Sequence, residues 1–391
     1  MKLRNLVTYS LLLFSSLLIS ACSMPFKDYR LDARPEGNDK FSGIKQLVTS
    51  NRNVDVFMIH GMCSKDRDWA TENLKRLNKE LGGVTELEIS EIPVKNSNAK
   101  LFQATIGLPD GAVKASALWW SPIVEPLKLQ LCYDQTKKSK ICERSNAENH
   151  REYQWERASI NRFMKDSLLN DCLADALIYQ GKSRDSIVEQ VQNALAEANL
   201  IQRNDGKLDI FNVSAQSRNP LVVIADSLGS KMAFDALSKL LEDAQPMRAA
   251  VGKQIASRIT HIFMRANQMP ILALADQSID PIRPTRSGRN DYPPDPISTV
   301  LGVRTQLQSS KTNDKTLVIA FTDPNDLLSY VLSPAKEIAK YDVVDVIVSN
   351  DYTYLGLFEN PFSAHTTYDE NKSVWSLIVC GNVNKNCVRP E

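Results

Sequence analysis

Short apolar blocks and amphipathic stretches follow one another along this chain. Val54 to Ile59 is a continuous apolar run broken by Asp55, the pattern of a strand buried on both faces, and it ends at His60-Gly61. Residues 66–81 carry Trp69, Leu74, Leu77 and Leu81 at helical spacing and stop at Gly82-Gly83, where a helix C-terminus is expected. Residues 86–94 and Ala115 to Trp120 predict two more strands, and the polar stretch 133–156 predicts an excursion from the core. Helices follow over 160–180 and 185–200, with Gly181 as the break. Leu221 to Ala225 predicts a short buried strand that runs directly into a helix from Leu228 to about Leu241. Further buried strands are expected at Ile259 to Met264, Leu317 to Phe321 and Val343 to Val348. Such alternation predicts an α/β domain over 51–391, with a mostly parallel sheet covered by helices on both faces. Insertions are expected near 95–160 and 276–315, the second polar and rich in proline.

The first residues follow a different pattern. Lys2 and Arg4 precede an apolar run from Leu6 to Ile19, about 14 residues against the roughly 18 or more of a spanning helix, so a secretory signal is expected. Leu18-Ile19-Ser20-Ala21-Cys22 resembles the lipobox of bacterial lipoproteins, with small residues at both positions before the cysteine. The resemblance implies a signal peptide over 1–21, lipid on Cys22 and the membrane as partner. Ser23 stands where an aspartate would retain an enterobacterial lipoprotein at the inner membrane, so the outer membrane is the expected location in a Gram-negative cell. Residues 22–50, polar and carrying Pro25, Pro35 and Gly37, are expected to be a flexible tether.

Composition narrows the remaining choices. Among 391 residues, 47 are basic and 46 acidic, so the basic excess of a nucleic-acid binder is missing. With Cys22 lipidated, Cys63, Cys132, Cys142, Cys172, Cys380 and Cys387 form an even set in an oxidising compartment. Cys132 with Cys142 and Cys380 with Cys387 close short polar loops, which leaves Cys63 with Cys172. Neither CxxC spacing nor accompanying histidines point to a metal.

The chemistry-bearing segment is Leu221-Val-Val-Ile-Ala-Asp-Ser-Leu-Gly-Ser230, a buried strand, a tight turn and a helix start. It resembles the G-x-S-x-G nucleophile elbow of α/β-hydrolases, with Ala225 in place of the first glycine and Gly229 as the second. Small residues two positions either side of Ser227 let strand and helix backbones approach. Capping of a helix is the competing role for this serine. Ile59-His60-Gly61-Met62 resembles the HG oxyanion loop of bacterial lipases, which implies the Met62 N–H as one oxyanion donor and the Leu228 N–H as the other, with His60 orienting the loop. A serine hydroxyl needs a base, and elimination among His60, His150, His261 and His365 leaves His365, on a loop after the last strand and before a final helix. The acid should fall between serine and histidine in chain order. Asn325-Asp326-Leu327-Leu328 resembles the acid segment of lipases, and Asp323, a turn residue before Pro324, is the alternative.

The resemblance implies an α/β-hydrolase-like fold, a lid-like insertion at 276–315 and cleavage of carboxylic or lipid esters through an acyl-enzyme, without metal or organic cofactor. Trp119 and Trp120 are candidates to line an acyl pocket. Thioester, peptide or acyl-transfer chemistry would use the same residues. A non-catalytic envelope lipoprotein that binds through the same fold is the reading from another class.

Overall fold

The computed structural model describes residues 22–23, 29–34, 39–83, 86–135, 139–144, 155–201, 209–277, 296–307, 316–332, 341–354, 357–383 and 387. The expected signal peptide and most of the expected lid, 278–295 and 308–315, lie outside these residues. None of the helices within them is long and apolar enough to cross a membrane.

Nine strands form one mixed sheet: β1 (Arg30–Arg34), β2 (Asn53–Ile59), β3 (Ser90–Pro93), β4 (Lys100–Leu108), β5 (Gly111–Trp119), β6 (Leu221–Asp226), β7 (Ile259–Arg265), β8 (Leu317–Thr322) and β9 (Asp342–Ile347). Their spatial order is β1-β9-β8-β7-β6-β2-β5-β4-β3. The six inner strands from β9 to β5 run parallel, while β1, β4 and β3 pair antiparallel at the two margins. The chain is thus of the α/β class with a mostly parallel sheet.

Period-two alternation splits each inner strand between two cores. From β2 and β6, Phe57, Ile59, Leu221, Val223 and Ala225 join one cluster with helices α3 (Arg184–Ala198), α4 (Leu228–Leu241), α5 (Pro246–Arg258) and α6 (Pro296–Leu307). On the opposite face Val54, Val56, Met58, Val222 and Ile224 pack with α1 (Ile44–Asn51), α2 (Arg67–Leu81) and α8 (Lys372–Cys380). A short helix, α7 (Pro361–Thr366), precedes α8. Asp55, the polar break in β2, is buried near the start of the strand. Arg258 Nη1 lies 2.8 Å from its carboxylate and Asn219 Nδ2 3.0 Å.

Several expectations change here. The stretch 22–50 is not all tether: Arg30–Arg34 pairs with β9 at the sheet edge, and Phe41, Ile44 and Val48 of the α1 region are buried. Three apolar contacts among many polar residues make a weak periodic signal, and only the facing α8 reveals them. The expected insertion at 95–160 contains a sheet strand, because Leu108-Pro109-Asp110-Gly111 turns β4 back onto β5. Within 276–315, Pro296–Leu307 is core rather than lid, with Ile297, Val300 and Leu301 buried against α4 and α5. The expected 160–180 helix runs without a break from Ser159 to Gln180, with a π-helical middle over Met164–Leu173. All three expected cysteine pairs, Cys63–Cys172, Cys132–Cys142 and Cys380–Cys387, are disulfide-bonded.

Candidate active site

The carboxyl ends of four parallel strands meet at one place, where ligands of open α/β sheets are bound. The register pairs Ile59 with Ala225, so the residues that follow β2 lie against those that follow β6. Backbone proximity is extreme: a Cβ on Gly229 would stand 2.3 Å from the His60 carbonyl oxygen, and one on Gly61 2.6 Å from Ser227 Cβ. The two glycines therefore allow the His60-Gly61-Met62 loop to nest against the turn that carries Ser227. Ala225 is fully buried in this arrangement, so its single methyl fits where the strict motif has glycine.

Ser227 occupies the link between β6 and α4 with φ +50° and ψ −124°, a conformation that non-glycine residues rarely adopt. Its N–H donates to the Arg265 carbonyl at 2.8 Å, and its side chain does not cap the helix. Ser227 Oγ instead lies 3.2 Å from His365 Nε2. His365 Nδ1 in turn lies 2.9 and 3.0 Å from the two carboxylate oxygens of Asp326. Serine, histidine and aspartate from three separate segments are thus joined in a hydrogen-bonded row. His365 belongs to α7 rather than to a loop.

Asp326 is buried and held by further donors, Leu328 N–H at 2.9 Å and the Tyr368 hydroxyl at 3.0 Å. The Tyr368 hydroxyl also accepts the Asp323 N–H at 2.7 Å. Burial, then the Asp326 charge, holds the Tyr368 phenol far above its ordinary pKa, so it remains a donor. Asp323 faces away from His365 and accepts the N–H groups of Asn325 and Asn350 at 2.9 and 2.6 Å. Burial raises its pKa. Beside it, Glu359 is pushed up to about 7 by burial and then by the Asp323 charge.

His60 is fully buried, and burial drives its pKa down to about 3, so the ring is neutral at physiological pH. Its Nε2 accepts the Trp120 N–H at 3.1 Å, which assigns the proton to Nδ1, 2.8 Å from the Gly61 carbonyl oxygen. Fixing that carbonyl fixes the Gly61–Met62 peptide plane, and in a trans peptide the Met62 N–H then points the opposite way. No acceptor among the described residues takes the Met62 or the Leu228 N–H. The latter opens α4, where the helix dipole adds partial positive charge.

Other candidates fall outside the row. His261 is in β7, 3.2 Å from Ser42 Oγ, and His150 lies outside the described residues. Trp120 stacks on His60 with ring centroids 4.7 Å apart, and Trp119 Nε1 donates to the Lys65 carbonyl. Neither lines the pocket beside Ser227. That pocket is open to solvent, and its walls include Met62, Lys65, Trp69, Arg265, Tyr368 and Asp369.

Sequence reasoning missed Tyr368, Lys65, Arg265 and Asp226. Arg265 holds Asp226 through Nε and Nη2 at 2.5 and 2.8 Å, while its buried Nη1 has no acceptor among the described residues. Burial opposes the Arg265 cation, but Asp226 outweighs it and keeps the guanidinium above its ordinary pKa. Alignment of Asp226 with Arg265 across β6 and β7 depends on strand register, which no local motif reveals. Cys22 and Ser23 pair through their backbone with Tyr354 and Thr353.

No family model matches the chain and no curated protein does. Among solved structures, an acetyl xylan esterase from Thermoanaerobacterium sp. JW/SL YS485 matches at 9% identity over 78% of this chain and 92% of that one, with a TM-score of 0.18. That likeness is too loose to bear on family or activity.

Proposed function

We propose that the protein is a serine hydrolase of the α/β-hydrolase type that cleaves carboxylic esters. The observation that carries this reading is the row Ser227 Oγ to His365 Nε2 to Asp326, at 3.2 and 2.9 Å, beside the Met62 and Leu228 N–H groups, which have no acceptor among the described residues. In the reaction, Ser227 Oγ attacks the ester carbonyl as His365 Nε2 takes its proton, and Asp326 stabilises the imidazolium through Nδ1. The Met62 and Leu228 N–H groups receive the oxyanion of the tetrahedral intermediate. His365 returns the proton to the departing alcohol. Water, activated by the same imidazole, then attacks the acyl-enzyme and releases the acid.

The pocket wall supports short acyl groups over long lipid chains. Lys65, Asp226, Arg265 and Asp369 all border it, and burying a long alkyl chain against charged groups would desolvate them without compensation. The expected lipid on Cys22 and an outer-membrane location belong to the same proposal and rest on the Ser20-Ala21-Cys22 segment.

A fluorophosphonate probe tests the reading. Wild type should label, while Ser227→Ala should not and His365→Ala should label far more slowly. Folded wild-type protein that stays unlabelled would refute the hydrolase and favour a binding lipoprotein. Radiolabelled palmitate in cells, with Cys22→Ala as control, tests the anchor independently.

A further inference from the structure

Immediately after Met62 the chain is strapped to a segment on which the proposed reaction makes no demand. Cys63 is disulfide-bonded to Cys172, 109 residues away, and Ser64 N–H donates to Asp171 Oδ1 at 3.1 Å. Lys128, 4% exposed, places Nζ 2.6 Å from Ser64 Oγ, 2.6 Å from Asp171 and 2.9 Å from Asp175, so the two carboxylates share one buried cation. Burial still pushes Asp175 up to about 6 against the pull of Lys128.

Two features set this strap apart from ordinary packing. Cys63 has φ +72°, a left-handed conformation that a non-glycine residue keeps only where its surroundings over-determine it. Its disulfide partner Cys172, and Asp171, which holds Ser64, lie on the π-helical run Met164–Leu173, a geometry that recurs at functional sites. The next residue, Lys65, is also held, with its N–H on Ser121 Oγ at 3.0 Å. Three consecutive residues after Met62 are therefore fixed, while His60 fixes the peptide before it.

We propose that the Cys63–Cys172 cross-link and the Asp171 carboxylate beside it are positioning elements for the reaction: they hold the Met62 N–H in place to receive the oxyanion, and opening the cross-link lowers turnover. The inference rests on the serine-hydrolase reading. Opening needs a dithiol reductant. It supplies two electrons and two protons, leaves Cys63 and Cys172 as thiols and closes to a cyclic disulfide. Both sulfurs are buried, with Cys172 1% exposed, so access requires local loosening of the strap. A loosened oxyanion donor acts on the transition state more than on bound ester, so the loss should appear in kcat and not in KM.

The test measures p-nitrophenyl acetate hydrolysis and fluorophosphonate labelling on the full chain. In Cys63→Ser/Cys172→Ser, kcat should fall about ten-fold or more with KM within about two-fold, since a complete loss of one oxyanion donor costs about a hundred-fold. Labelling should slow in parallel, and Cys380→Ser/Cys387→Ser should keep wild-type kcat. A folded cross-link-free protein with unchanged kcat overturns the proposal, as does an equal loss in the control pair. Should the double variant not fold, wild type is titrated with dithiothreitol below its melting temperature, with mass spectrometry to assign the opened bond. A kcat loss that tracks the Cys63–Cys172 bond supports the proposal, and one that tracks another bond overturns it. If the bond resists reduction, Asp171→Asn decides: the same kcat-specific loss supports it and an unchanged kcat overturns it. Wild type that neither hydrolyses nor labels refutes the hydrolase reading itself, an outcome distinct from every one above.

Discussion

Replacing Tyr368 with Phe removes one oxygen from the centre of the candidate site while keeping the ring, 3% exposed, that fills the core. The hydroxyl donates to Asp326 Oδ2 at 3.0 Å and accepts the Asp323 N–H at 2.7 Å. Loss of a bond to a charged acceptor, with a buried N–H left unpaired, should cost about 2–4 kcal/mol of stability. In a chain of this length melting temperature should fall by about 2–5 °C. Activity should suffer far less. Asp326 keeps the Leu328 N–H and both contacts to His365 Nδ1, so a drop in kcat/KM of about ten-fold at most is expected. By contrast Asp326→Asn offers His365 the wrong partner and should lose about 10³-fold or more. Urea unfolding followed by tryptophan fluorescence, with ester hydrolysis on the same samples, reads both quantities. The bridging role is refuted if Tyr368→Phe unfolds at the wild-type urea midpoint. A kcat/KM loss as large as that of Asp326→Asn would instead show that the tyrosine alone orients the acid.

Three other outcomes follow from the same geometry. Gly229→Ala would drive a methyl against His60 O, His60 C and Ile59 O, all backbone, and should cost about 3 kcal/mol or fail to fold; thermal denaturation measures it. Glu359 is neutral more readily when folded, with a pKa of about 7 against the lower unfolded value, so its contribution is most favourable at low pH and is lost as pH rises through 7. Glu359→Gln should therefore stabilise the protein at pH 8, by on the order of 1 kcal/mol, and change little at pH 4; an unchanged pH slope in urea titrations would exclude it. Across p-nitrophenyl esters, kcat/KM should peak at short acyl chains, and a maximum at eight carbons or longer would remove the role given to the charged pocket wall.

How much was legible in advance depended on how local each feature is. The β6–Ser227–α4 unit spans 21 consecutive residues in which apolar strand, small-residue turn and amphipathic helix each leave their own period, so its shape and the place of Ser227 could be read directly. The same holds for β2 and α2. Margins of the sheet were harder, because β1 and β4 are mixed in polarity and become strands only by pairing with β9 and β5.

The chain alone therefore settled the class of fold, the serine on its turn, the small residues on either side of it and a short set of candidate partners. Tertiary structure decided which partners meet. Asp323 and Asp326 share one turn and one composition, and only the approach of α7 brings His365 to Asp326 while Asp323 turns to Asn325 and Asn350. It likewise brought Tyr368 to Asp326, Arg265 to Asp226 and the strap at Cys172 to the residue after Met62. The physical reason is range: dihedral preference and hydrophobic period act over a few residues, whereas these contacts depend on strand register and on helix docking across as many as 109 positions.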